Sequence, residues 1–442
     1  MAIIPQQELF SWEEIDELGD LERLKLVLEH MPDERLMRQL EKERGQGRDD
    51  YPVRAVWNSI LAGVVFGHPS IESLRRELKR NGQLRKLCGF SALKGVAGVP
   101  PEWVYTRFLK TLMEHMYLIE AMFESLVDGL RDVLPEFGRV LALDGKAIDT
   151  HARARKQLDV LQEPDGRRDV DADWGVKTYQ GKREDGTLWK KVKSWFGYKL
   201  HLVVDANWEL PVAFEVTRAS SSEMPEAHRL LHRLDERHPE LLDGCESFLA
   251  DKGLDDGKLI ERLWDDHQIK PVIAIRNMWK DGEATRLVTG ACNVVYDSNG
   301  TVYCHCPKSD ERREMAYGGF EEDRGCLKYR CPARHYGIEC KGAEQCPVGF
   351  ALRIPLSEDR RIFTPMARSS YAWKREYKKR TAVERVNSRL DVSFGFERHF
   401  IRGLEKMKLR CALALCVMLA MALGRVKQKQ QDKLRSLVRA AA

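Results

Sequence analysis

Residues 139–148 read RVLALDGKAI. Val140, Leu141, Ala142 and Leu143 form a continuous apolar run, the pattern of a strand buried on both faces, and the run stops at Asp144 and Gly145. Upstream, residues 1 to about 135 carry helix signals instead. Asp50, Tyr51 and Pro52 open a helix with Val53, Val56, Trp57 and Ile60 on one face. Ser70 caps a second, with Leu74 and Leu78 inside and Arg75, Arg76, Lys79 and Arg80 outside. A third starts after Pro100 and Pro101 and runs toward Leu130. Basic helices of this kind suit DNA binding, although the spacing defines no helix-turn-helix.

Downstream the pattern is mixed. A charged stretch continues to about Lys193, and Asp149, Asp171 and Asp173 within it read as solvated. Trp195 to Val204 alternates, Asp205 to Trp208 is a turn, and Leu210 to Val216 completes a hairpin. A helix over Pro225 to Leu234 follows. Ser247 to Ala250 is a short strand ending on Asp251, with Asp255 and Asp256 as caps of the next helix, about Asp256 to Trp264. Pro271 to Ile275 is a further strand. Ser369 and Ser370 cap a long helix that carries Glu384. This order predicts an α/β fold, a mixed sheet with flanking helices, preceded by an all-α domain and interrupted by a Cys-rich insertion. The expected segments are 1–135 (helical, DNA binding), 136–279 (first part of the core), 280–365 (insertion), 366–426 (last part of the core) and 427–442 (basic tail).

The 442 residues carry a net charge of only +5, which by itself names no partner. The basic stretch from Lys374 to Arg410 either neutralises phosphates or forms a solvated face. Met1 to Phe10 has neither a basic start nor an apolar run, and the eleven cysteines read as reduced thiols, so a cytoplasmic, nucleoid-associated location is expected. Cys411 to Leu423 is shorter than the roughly 20 residues that span a bilayer and reads as a buried terminal helix, with no membrane partner.

Phosphodiester chemistry on DNA calls for carboxylates that hold two divalent ions roughly 3.5–4 Å apart. Asp144 and Asp251 each follow an apolar strand, where a carboxylate serves either a metal or a turn. Asp205 reads as a hairpin-turn residue. At about 100° per residue, Val383, Val386 and Leu390 share the core face of their helix, while Tyr377, Arg380, Glu384, Asn387 and Asp391 share another.

Tyr377, Arg380 and Glu384 form Tyr-x2-Arg-x3-Glu within YKKRTAVERVNSRL. This resembles the Tyr-Arg-Glu-Lys signature of DDE transposases of bacterial insertion sequences. LALDGKAI at Asp144, FGYKLHLVVD at Tyr198 to Asp205 and FLADKGLDD at Asp251 are similar to strand segments of that group. The resemblance covers about Arg139 to Gly424. It implies a ribonuclease-H-like core, Mg2+ or Mn2+ held by Asp144, Asp251 and Glu384, and strand transfer between transposon ends and target DNA. It also implies DNA contacts by Tyr377 and Arg380, and a homodimer bridging two ends. The signature lysine falls at Asp391, with Arg385 or Arg389 as substitutes. Lys199 and His201 match a recurrent block of the group and alternate onto one strand face, facing either DNA or an exposed edge. The triad reading requires the strands ending at Asp144 and Asp251 to be neighbours. Two other outcomes stand beside it: a nuclease without joining activity, and a non-catalytic DNA-binding derivative.

Cys304, Cys306, Cys326, Cys331, Cys340 and Cys346 crowd a segment that reads as poor in apolar residues, with His305 and His335 nearby. Either structural zinc or reduced cysteines accounts for them, and the spacings are not a standard paired Cys-x2-Cys array.

Overall fold

The computed structural model describes residues 19–46, 50–91, 93–152, 169–183, 185 and 187–436. Met1 to Phe10 and the last six residues of the expected tail lie outside them. The chain divides into two compact units. One comprises Met1–Leu134, Asp149–Asp171 and Ser388–Ala442; the other comprises Pro135–Ile148 and Ala172–Asn387.

The first unit is helical. Pro52 precedes the Val53–Val65 helix, which buries Val53, Val56, Trp57 and Ile60. The Trp57 indole N–H donates to the buried carboxylate of Asp33. The Ser70 hydroxyl accepts the Ser73 N–H and starts the Ile71–Arg80 helix. The single helix expected after Pro101 is two, Glu102–Glu114 and Met116–Val133, because the chain leaves helical geometry at His115. The apolar terminal helix is longer than Cys411 to Leu423 and runs Leu404–Lys427. By length and composition it would reach across a bilayer, but it is buried against the Met116–Val133, Leu21–His30 and Val53–Val65 helices. Gly424 allows that approach: a Cβ there would stand 2.5 Å from the Leu26 side chain.

The second unit is built on a mixed sheet, six-stranded among the described residues: β1 (Val140–Asp149), β2 (Asp173–Lys182), β3 (Leu188–Asp205), β4 (Leu210–Arg218), β5 (Ser247–Ala250) and β6 (Lys270–Ile273). Its order is β2-β3-β1-β5-β6, with β4 also on β3. β1, β5 and β6 are parallel; β3 runs antiparallel to β2 over its first half and to β4 over its second. The three parallel strands have the continuous apolar runs that two-sided burial demands. β1 does not end on Asp144, as its apolar run suggested, but continues to Asp149. The polar stretch before Lys193 likewise holds β2 and the start of β3. Trp174, Val176, Trp189 and Val192 are exposed there, so no inward face marks the strands in the sequence. Asp173 accepts hydrogen bonds from the N–H and hydroxyl of Ser220, and Asp171 accepts the Leu404 N–H, so neither is merely solvated.

The Glu223–Arg237 helix packs on β3 and β4, and the Tyr371–Tyr377 helix packs on β6. Between β6 and the latter lie two small sheets, one formed by β7 (Thr285–Leu287), β8 (Val294–Asp297), β9 (Val302–His305) and β10 (Arg312–Glu314), the other by β11 (Ala316–Glu321), β12 (Cys326–Arg330) and β13 (Ala351–Pro355). This segment has a core of its own, including Val294, Val302, Leu327, Tyr329, Ile354 and Phe363. The expectation that it lacks apolar residues fails: they are spread singly along short strands.

Asp205 ties the hairpin to β1. Its buried carboxylate accepts the N–H groups of Trp208, in the turn, and of Gly138, at 2.8 Å. Burial raises its pKa to about 6 despite those donors. Asp205→Ala strands two inward N–H groups and is expected to cost about 2–5 kcal/mol. Asp205→Asn, which keeps an acceptor, costs less. Urea unfolding at neutral pH checks this, and equal stability of wild type and Asp205→Ala would contradict it.

Candidate active site

Parallel pairing of β1 with β5 runs from Val140 opposite Ser247 to Leu143 opposite Ala250. The next residues on the two strands are Asp144 and Asp251, so backbone register alone sets the two carboxylates side by side. Asp144 Oδ1 accepts the N–H of Gly145, and Asp251 Oδ1 accepts that of Gly253 at 2.7 Å, starting a tight turn. Burial raises the pKa of Asp144, and the neighbouring charge of Asp251 adds to it, against the pull of Lys177, the Gly145 N–H and Arg380.

The long helix expected from Ser370 is interrupted. Ser370 caps Tyr371–Tyr377; one tighter turn, Lys378–Arg380, lies against β5; and Thr381–Ser393 follows. Tyr377 stacks on Trp373 with ring centroids 4.7 Å apart, and the Arg380 guanidinium lies 5.9 Å from the Tyr377 ring. Arg380 Nη2 donates to Glu384 Oε1 at 2.6 Å, and its Nη1 stands 3.8 Å from Asp144 Oδ2. Arg380 is therefore the link between Glu384, which is exposed, and Asp144. Val383 and Val386 are fully buried on the other side of the helix.

Two charged side chains join this group that the sequence reading missed. Lys177, from β2, donates to the Gly145 carbonyl at 3.1 Å and stands 3.2 Å from Glu223 Oε1. Burial disfavours its ammonium, but Glu223 and Asp144 outweigh that and raise its pKa. Glu223 opens the Glu223–Arg237 helix. A Cβ on Gly145 would lie 2.8 Å from Glu223 Oε1, and one on Gly253 would lie 2.8 Å from Asp251 Oδ1 and 3.3 Å from Glu223 Oε2. Both glycines thus leave room for a third carboxylate between the strand ends. No sequence spacing could have found it, because Glu223 reads as an ordinary first-turn acid.

The remaining candidates stand apart from that cluster or are already engaged. Lys199 is buried, donates to the Ser221 carbonyl at 2.8 Å and faces Glu223 at 3.7 Å; burial lowers its pKa. His201 is buried against the Thr217 hydroxyl, and burial, with the charges of Lys199, Lys177 and Arg229, lowers its pKa to about 3. It is neutral at physiological pH and closed to solvent, so neither reading of an outward face describes it. Arg385 donates to Glu209 at 2.7 Å and to Thr381. Arg389 is buried and donates to the Leu434 carbonyl. Asp256 caps the Gly257–Glu261 helix as expected, whereas Asp255 instead holds Arg361 and the Arg276 N–H.

Among the described residues, no three His, Cys, Asp or Glu side chains converge closely enough, as they stand, to hold a metal ion. Of the six clustered cysteines, Cys304, Cys306, Cys331, Cys340 and Cys346 line one small cavity with His305. Cys326 and His335 are not part of that lining; Cys326 bonds the Arg324 carbonyl.

The family model of the transposase DDE domain matches residues 135–420. Among solved structures, one match is a cryo-electron-microscopy structure of a piggyBac transposase synaptic complex with hairpin DNA. It is 11% identical, covers 96% of this chain and 86% of that one, and has a TM-score of 0.28. A comparison with curated proteins returns no match.

The buried neutral imidazole gives a pH signature. Folded His201 binds its proton only near pH 3, whereas unfolded histidine does so at 6.5. Its contribution to stability is therefore complete above pH 6.5 and is lost as pH falls from 6.5 toward 3, by up to about 1.4 kcal/mol per unit. The stability difference between wild type and His201→Gln, followed by urea unfolding at pH 7.5 and 5.5, should move in the variant's favour at the lower pH. A difference independent of pH would contradict the burial.

Proposed function

The chain belongs to the transposase DDE domain family, and from that premise we propose that it cuts DNA at the ends of a mobile element and joins the freed 3′ ends to a target. The observation that supports this most is the β1–β5 register, with Asp144 and Asp251 as consecutive continuations of paired strands and Arg380 linking Asp144 to Glu384. The order β4-β3-β1-β5-β6, with its parallel centre and antiparallel hairpin, supports reading the sheet as a ribonuclease-H-like core. On that reading, segment 1–135 binds DNA through its described helices, and 280–365 is an accessory insertion. Of the expected last part of the core, 366–426, residues through Asn387 complete it and the remainder belongs to the helical unit; 427–442 are a basic tail, and two copies act on paired ends.

The donor chemistry fits Mg2+ or Mn2+. The candidate ligands are carboxylate oxygens, which hard divalent cations prefer. Burial and the charge of Asp251 already oppose the Asp144 anion, and added positive charge offsets both. Asp144, Asp251 and Glu384 would hold the metal, which supplies a polarised oxygen nucleophile and charge neutralisation at the scissile phosphate.

The chain's own residues supply the rest. Arg380 offers a planar fork matched to a phosphate, held beside the carboxylates by its contact with Tyr377. The stacked Trp373 and Tyr377 rings stiffen the turn that carries it. Lys177 keeps positive charge against Glu223 and Asp144. Arg385 contacts DNA only by exchanging Glu209 for a phosphate, and Arg389, Lys199 and His201 act from inside the protein, as packing.

Asp251→Asn is expected to abolish cleavage of labelled transposon ends in Mg2+, while end binding persists and weakens steeply with salt. Strand transfer from precleaved 3′-hydroxyl ends should be lost in parallel. Normal cleavage by purified Asp251→Asn protein would overturn the assignment. Cleavage without joining in the wild type would leave a nuclease, and end binding without either step a non-catalytic derivative.

A further inference from the structure

We propose that the segment between β6 and the Tyr371–Tyr377 helix carries a structural zinc site made of Cys306, Cys331, Cys340 and Cys346, independent of the catalytic reading. The four line a cavity of about 20 Å³, large enough for one ion but for little else. Cys306 and Cys340 sulfurs stand 3.8 Å apart. Zinc–sulfur bonds of about 2.3 Å at tetrahedral angles put thiolates about 3.8 Å apart, so this pair already has the edge length of a zinc tetrahedron. As the side chains stand, the other two sulfurs do not complete the convergence. They share the cavity wall, and completion asks for side-chain rotation rather than a new fold.

Backbone geometry selects these four from the six. Each opens a turn: the Cys306, Cys340 and Cys346 carbonyls accept the N–H groups of Ser309, Ala343 and Gly349, and the Cys331 carbonyl accepts that of His335. Such turns fold amide N–H groups toward the preceding sulfur. Asn293 donates to Cys346 Sγ at 3.5 Å. Donors to sulfur favour the thiolate that a metal requires. Cys304 also lines the cavity but lies within strand β9 and packs against the apolar core of the segment, and Cys326, outside that lining, bonds the Arg324 carbonyl. The apolar core holds the two small sheets, while Cys306, Cys340 and Cys346 sit in connections outside its most buried residues. A metal there would tie these connections to one another.

The test is elemental analysis of freshly purified, reduced, full-length protein. It should contain about one zinc per chain, and replacement by cobalt should give the visible bands of a tetrahedral thiolate site. Cys306→Ser and Cys340→Ser should lose the metal and become protease-sensitive within 304–349, while Cys304→Ser and Cys326→Ser keep it. The cobalt spectrum of wild type stands as the readout if a variant does not fold. Protein that contains no zinc and takes up neither zinc nor cobalt would overturn the proposal. So would loss of metal in Cys304→Ser with retention in Cys306→Ser.

Discussion

Everything at the candidate site depends on one piece of backbone register, the parallel pairing of Leu143 with Ala250. It sets two acidic side chains next to each other at the end of a buried strand pair, where burial and the charge of Asp251 both work against the Asp144 anion. The rest of the local structure answers that electrostatic problem. Lys177 comes in from β2, Arg380 from the turn against β5, and the Gly145 and Gly253 amides point at the carboxylates.

The same logic explains why Arg380 occupies a pivotal place. It is shared between Asp144 and Glu384. A continuous helix through residues 371–393 would carry Tyr377, Arg380 and Glu384 on one stripe. The tighter turn at Lys378–Arg380 breaks that stripe, yet leaves the guanidinium over the Tyr377 ring and within reach of both carboxylates. Glu384 remains the most exposed of the three acids and the one whose partner would have to change when a metal binds.

The elements nearest the site were legible because their burial is two-sided. Val140–Leu143 and Ser247–Ala250 are short apolar runs with an acid after each, and periodicity reads them directly. The hairpin turn at Asp205 and the caps at Ser70 and Ser370 were legible for local reasons, since each side chain bonds an amide within three residues. Features made by tertiary packing were not legible. Glu223 and Lys177 approach the aspartates only because a helix packs on β3 and β4 and β2 pairs with β3. Lys199 and His201 alternate as an exposed pair would, but β4 and that helix cover them. The apolar core of residues 288–367 was invisible because strands of three to six residues spread it thinly. The extent of the Leu404–Lys427 helix was hidden by its charged first turns.

On the proposed function, Asp144, Asp251 and Glu384 serve one metal centre. The most direct measurement is the anomalous difference density of crystals of the wild-type protein grown with Mn2+. A peak bounded by all three carboxylates is expected, with Glu384 turned from Arg380 toward the ion. Manganese bound elsewhere, or density at Asp144 and Asp251 with Glu384 still held by Arg380, would contradict it.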